Sequence, residues 1–274
     1  MFLLLFLLFS PIFSFKYIDD PKLPIVLMHG ILSNTERMYE LRDYLESNFS
    51  LTVIVPEIGN GIPNSLNLPL DVQGDILCEE LNKNTLLENG FNFIGVSQGG
   101  ILGRYYIEKC GDYNINNLIT LVSPHGGVYS RSIDNIIDVY GQFAREHYSF
   151  SSYWRDPYDF ETYKNIVLLA DLNNEVDIDD NNRDRFTSIN NFIMVYSPFD
   201  DILKPPESGK FSTYEVDSLD VIPVEYTTMY HSLGLNKMFD NQQIYIYETN
   251  CSHAQHKDYS CFKQLHEMFE EFCS

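Results

Sequence analysis

The stretch FNFIGVSQGGILGRYYIEKC, residues 91–110, decides how the rest of the chain is read. It begins as a short apolar run of the kind that forms a buried strand, passes through a glycine-bounded turn, and ends in residues of helical composition. Within it Gly95-Val96-Ser97-Gln98-Gly99 has the form G-x-S-x-G, in which glycines relieve crowding so that a strained serine can sit where a strand turns sharply into a helix. Alone the pattern can mark nothing more than a glycine-rich turn. With a buried strand ahead of it and a helix behind it, the pattern reads as a nucleophile elbow, with Ser97 as the candidate nucleophile.

Working outward, IVLMHG at 25–30 reads as a second buried strand entering a tight turn. Residues 34–48 place Met38, Leu41, Tyr44 and Leu45 at helical spacing, with Asn34 or Thr35 able to cap the start, and LTVIVP follows as a strand. Strand, helix, strand is the unit of a parallel sheet. Gly59 to Pro69 reads as a loop, Val72 to Leu81 as a helix, and LITLVSP (118–124), NFIMVYS (191–197) and QIYIYET (243–249) as further strands. A closing helix is expected from about Tyr259 to Phe272. The region rich in Tyr, Asn and Asp at about 126–190 lacks strand alternation apart from IVLLA, and reads as a helical cap inserted between two strands. The expected architecture is α/β: an α/β-hydrolase fold with a mostly parallel central sheet, helices on both faces and a cap insertion.

A serine hydroxyl needs a base to take its proton, and a buried carboxylate to hold that base in the right tautomer. This fold fixes their order along the chain as Ser, Asp or Glu, then His. His253 lies in the loop after the final strand, with His256 its nearest substitute; His266 falls inside the terminal helix, and His29 and His125 lie far from that loop. Asp200 and Asp201 directly follow the strand NFIMVYS, and either could supply the acid, with Asp171 after IVLLA as the alternative. Acyl transfer also needs donors for the oxyanion. The backbone N–H of Gln98 follows the nucleophile, and the turn His29-Gly30-Ile31 offers the N–H of Ile31 as the second.

The bulk properties narrow the rest. With 274 residues and 44% hydrophobic content the chain can bury one large core, so a single domain is expected over 15–274. Acidic residues outnumber basic ones 39 to 18, a formal charge of -21, which argues against nucleic-acid binding. MFLLLFLLFSPIFSF is too short to span a bilayer and has the length of a signal-peptide core, with cleavage expected after Ser14, although no Lys or Arg precedes it. No stable membrane span and a secreted or lysosomal location follow from that reading. Cysteines at 78, 110, 251, 261 and 273 give two disulfides and one free thiol by arithmetic, without a metal-spaced pair. Asn48 and Asn250 head N-x-S acceptors for glycosylation.

HGI at 29–31, PEIGNG at 56–61, GVSQGG at 95–100, YWRDP at 153–157, LLADLNNE at 168–175 and TTMYHSLGLNKM at 227–238 together resemble the lysosomal palmitoyl-protein thioesterases, in order from about Leu23 to the final helix. The resemblance implies a Ser97, Asp200, His253 triad, Ile31 and Gln98 as oxyanion donors, and a disulfide between Cys78 and Cys110. It also implies removal of long-chain acyl groups from cysteine thioesters of S-acylated proteins or peptides, with the chain in an apolar groove and no metal or organic cofactor. It offers no partners for Cys251, Cys261 and Cys273, and VDIDDNNRDRFTS is unusually polar for a groove lip. An oxygen-ester lipase or carboxylesterase with the same triad, and a secreted lipid-binding protein without catalysis, are the alternatives.

Overall fold

The computed structural model describes residues 22–273; the expected signal peptide at 1–14 lies outside them. Strand β1 (Ile25–Met28) leads through a short 3-10 turn into α1 (Tyr39–Phe49) and β2 (Val53–Ile54). Helices α2 (Ile62–Asn67) and α3 (Leu70–Asn82) precede β3 (Phe91–Val96), and α4 (Gln98–Tyr105) leaves β3 through the elbow and widens into a π-helical turn. After β4 (Ile115–Leu121) come α5 (Arg131–Asp134), α6 (Gln142–His147), α7 (Phe160–Ile166), α8 (Leu168–Leu172) and α9 (Asp180–Thr187). Strand β5 (Asn191–Tyr196) is followed by the hairpin of β6 (Thr213–Tyr214) and β7 (Val221–Ile222), then α10 (Met229–Ser232) and α11 (Leu235–Asp240). Strand β8 (Ile244–Glu248), α12 (Tyr259–Phe262) and α13 (His266–Cys273) close the chain.

The six main strands lie in the order β2-β1-β3-β4-β5-β8 and every neighbouring pair is parallel. Alternate residues of the central strands enter two separate cores, as a period of two requires. Val26, Met28, Phe93, Leu118, Phe192 and Met194 pack toward α3, α4 and the helices between β4 and β5. Ile25, Leu27, Ile94, Ile119, Ile193 and Val195 pack toward α1 and α13. With apolar side chains wanted on both faces, these strands read as continuous hydrophobic runs. No helix among the described residues is long and apolar enough to cross a membrane.

Three sequence expectations are corrected. Gly59 to Pro69 is not all loop, because Pro63 occupies the first turn of α2, where its missing N–H and fixed φ suit a helix start. Residues 168–170 of IVLLA belong to helix α8, whose Leu169, Ala170 and Leu172 are buried, and not to a strand. The closing helix is interrupted, running as α12, a 3-10 turn and α13. Cys78 is joined to Cys110 and Cys251 to Cys261, with Cα separations of 6.0 and 6.1 Å, while the Cys273 thiol is free and buried.

Candidate active site

Ser97 stands between β3 and α4 with φ 55° and ψ -125°, a backbone conformation that costs a non-glycine residue strain and persists only where its surroundings impose it. The imposition is visible on both sides. Ser97 N–H donates to Leu121 O of the neighbouring strand at 2.8 Å, and a Cβ on Gly99 would lie 2.6 Å from His29 O, so only glycine lets α4 start this close to the end of β1.

Three side chains from the carboxyl ends of β3, β5 and β8 meet there. His253 Nε2 is 2.9 Å from Ser97 Oγ, and His253 Nδ1 is 2.7 Å from Asp200 Oδ2. Asp200 is buried, and its other oxygen accepts N–H bonds from Ile202 and Leu203, each at 2.8 Å. Burial works to raise the Asp200 carboxyl, but the hydrogen bond and charge of His253, with the N–H groups of Leu203 and Ile202, outweigh it and hold the group below its ordinary range. An ionised Asp200 favours the tautomer with the proton on Nδ1, an arrangement in which Nε2 can act as an acceptor toward the Ser97 hydroxyl.

The remaining candidates fall elsewhere. Asp201 Oδ1 accepts the backbone N–H of His253 at 3.1 Å, so the two adjacent aspartates grip one histidine by ring and by backbone. His256 is buried against Thr249 Oγ1 at 2.8 Å and Ser252 O at 3.0 Å, and burial pushes its ring down. Asp171 pairs with Lys109 at 2.7 Å. His125 bonds Thr120 Oγ1, His266 bonds the Tyr44 hydroxyl, and His29 bonds Glu57. Ile31 follows Gly30, where an added Cβ would lie 2.9 Å from Ser97 Cβ, and Gln98 directly follows Ser97. Ser197, whose Oγ donates to Cys251 O at 2.7 Å and steadies the His253 loop, belongs to no motif that would single it out in the sequence. Among the described residues no group of three or more His, Cys, Asp or Glu is arranged to hold a metal ion.

A parallel sheet wound on both faces by helices, with a serine on a strained strand-to-helix turn at its carboxyl edge, defines an α/β-hydrolase. A mature lipase from Bacillus licheniformis shares this fold, with a TM-score of 0.54 at 12% identity over 93% of this chain and 94% of its own. The family model described as palmitoyl protein thioesterase matches residues 24–253, and the chain belongs to that family. It is similar to palmitoyl-protein thioesterase 3 of Dictyostelium discoideum, with 31% identity covering 85% of this chain and 86% of the relative. The lysosomal thioesterase PPT2 homolog of Drosophila melanogaster is 29% identical, covering 73% and 74%.

Proposed function

We propose that the protein hydrolyses long-chain fatty acyl thioesters, palmitoyl groups on protein cysteines or related small thioesters, through Ser97, His253 and Asp200. The observation that carries this is the unbroken hydrogen-bonded line from Asp200 Oδ2 through both ring nitrogens of His253 to Ser97 Oγ, in a chain of this family. His253 Nε2 takes the Ser97 proton as Oγ attacks the thioester carbonyl, and the oxygen of the tetrahedral intermediate faces the N–H groups of Ile31 and Gln98. The C–S bond then breaks, the departing sulfur receives the proton from His253, and the acyl group stays on Ser97. Water repeats the sequence: His253 removes its proton, the acyl–Oγ bond breaks, and the fatty acid leaves with Ser97 reprotonated. Because a cysteine thiol has a pKa near 8.5, its thiolate leaves with little help from an acid, which suits thioester cleavage in an acidic compartment.

The surroundings support an apolar substrate. Leu32, Phe199 and Ile202 stand 50, 66 and 60% exposed, Leu32 next to Ile31 and the other two flanking the two aspartates. The same reading takes residues 15–274 as one hydrolase domain with a cap at about 126–190, delivered to a lysosome or secreted by the leader at 1–14. Asn48 and Asn250, both exposed, would then be open to glycosylation. A fluorophosphonate probe tests the nucleophile: it should label the native protein at Ser97, whereas an unlabelled protein would indicate a lipid carrier. Turnover of a palmitoyl thioester should exceed that of the matched oxygen ester; the reverse order would make the protein a lipase or carboxylesterase.

A further inference from the structure

An oxyanion site built from Ile31 and Gln98 has its two donors on separate elements, the turn after β1 and the start of α4. Tenths of an ångström matter to such donors, so something must fix one element against the other. A buried polar cluster under the site does so, and it centres on α2. Ser65 is fully buried. Its Oγ accepts the N–H of Ser33, two residues past Ile31, at 3.3 Å and donates to Ile62 O at 2.9 Å. Its carbonyl accepts from Gln98 Nε2 at 3.0 Å, Gln73 Nε2 at 3.2 Å and Ser149 Oγ at 2.9 Å.

The Gln98 amide is held on both sides. Nε2 faces two acceptors, Ser65 O and Gln73 Oε1, each at 3.0 Å, while Oε1 accepts the Tyr153 hydroxyl at 3.1 Å. Burial pushes the Tyr153 phenol up, so it remains a donor at acid and neutral pH alike. Gln73 in turn donates to Leu68 O at 2.7 Å. Reversing the Gln98 amide would point a donor at the phenol and an acceptor at two acceptors, so a single orientation satisfies the cluster.

We propose that Ser65 is a positioning residue for both oxyanion donors, holding the turn after Ile31 through its hydroxyl and Gln98 through its carbonyl. This rests on the Ser97 reading above. The cluster touches neither Ser97 nor His253; its effect is on where two backbone N–H groups stand when charge develops on the carbonyl oxygen. The loss on weakening it therefore belongs in kcat and not in substrate binding.

The test uses Ser65→Ala and Gln98→Met, which leave both backbone donors in place, with Tyr106→Phe as a reference. The Tyr106 hydroxyl, just beyond the end of α4, donates to Asn82 Oδ1 at 2.8 Å and accepts the Tyr113 N–H at 3.2 Å, so its loss removes partly buried bonds remote from the turn. Each variant is assayed for palmitoyl-thioester kcat and KM, for melting temperature, and for affinity toward a palmitoyl trifluoromethyl ketone. Ser97 Oγ adds to that ketone, His253 takes the hydroxyl proton, and the former carbonyl oxygen becomes an alkoxide in the oxyanion site. Ser65→Ala and Gln98→Met should lower kcat about 10- to 100-fold with KM within about twofold, and weaken the ketone in proportion. A kcat no lower than that of Tyr106→Phe at an equal loss of melting temperature overturns the proposal, as does a loss confined to KM. If Ser97→Ala retains turnover, the underlying reading falls and this inference with it. If Ser97→Ala is inactive while Ser65→Ala and Gln98→Met keep native kcat, only the inference falls.

Discussion

The carboxyl edge of the sheet and the helical layer between β4 and β5 both bury charged groups, but they terminate them differently. At the edge, Asp200, His253 and Ser97 form a line that ends on the hydroxyl of Ser97, a residue 7% exposed, with no hydrogen-bond acceptor beyond it among the described residues. In the layer, Arg155 meets Glu175 through two bonds of 2.6 and 2.9 Å, and Tyr163 donates to the same carboxylate at 2.6 Å. Arg155 also lies over the rings of Tyr163 and Phe160 at 4.5 and 4.9 Å. Both oxygens of that carboxylate meet donors, and Asn173 Nδ2, a further donor at 3.4 Å, ties the network to Arg104. An open line is free to pass a proton onward, whereas a closed network can only hold helices together, so substitutions in the two regions should fail in opposite ways.

The largest effect should come from the edge. Ser97→Ala is expected to lower thioester turnover by about 10⁴-fold or more while leaving the melting temperature nearly unchanged, since one hydroxyl is lost and the backbone conformation of residue 97 is kept. Steady-state assay and calorimetry on the same preparation check both halves. Turnover within tenfold of the native protein would erase the distinction between the two regions.

Glu175→Ala should do the reverse. It leaves the Arg155 guanidinium, 8% exposed, without its bidentate acceptor, and removes the partner of the Tyr163 hydroxyl. Stranding one member of a buried ion pair costs about 3–5 kcal/mol, read as a lower midpoint in urea unfolding. A cost below about 1 kcal/mol would mean that water reaches Arg155 and that the layer is not closed.

The same contrast explains what could be read from the sequence. The elbow, the sheet strands and the position of His253 were legible because each is a local pattern: an apolar run, a glycine spacing, a histidine just past the last strand. From the residues alone the adjacent aspartates were legible only as a pair, with Asp200 singled out by the family resemblance, since the division of labour between Asp200 on the ring and Asp201 on the backbone depends on how the turn after β5 is folded. Helix α2 was hidden because Gly59, Gly61 and Pro63 carry loop chemistry, and what stabilises the segment is tertiary: Ser65 receives bonds from residues 33, 73, 98 and 149. The arginine networks were equally invisible. Arg104 and Asn173 are 69 positions apart and share no spacing that periodicity could detect.

The smallest effect lies where α4 meets α8, and it sharpens the comparison because this buried pair is incompletely closed. Arg104 donates to Glu108 Oε1 at 2.9 Å, to Asn173 Oδ1 at 2.8 Å and to Leu172 O at 2.7 Å, but Glu108 Oε2 is buried without a partner among the described residues. The Glu108 carboxyl is pushed up to about 7: burial, aided by the charge of Asp171, outweighs the charge and hydrogen bond of Arg104 and the charge of Lys109, which act to lower it. The sign follows from which state holds the proton. Between the ordinary value of 4.5 and about 7 the folded protein keeps the proton that the unfolded chain has released, so stability falls as pH rises through that window. Asp200 acts with the opposite sign and in a different range: its stabilisation is present above its ordinary value of 3.8 and is lost only as pH falls through its lower folded value. Glu108→Gln removes the titration while keeping an acceptor for Arg104. The native protein should therefore lose up to about 1.4 kcal/mol of stability per pH unit relative to Glu108→Gln as pH rises across the window. Urea unfolding of both proteins at a series of pH values measures the difference, and parallel curves would mean that Arg104 keeps Glu108 ionised throughout.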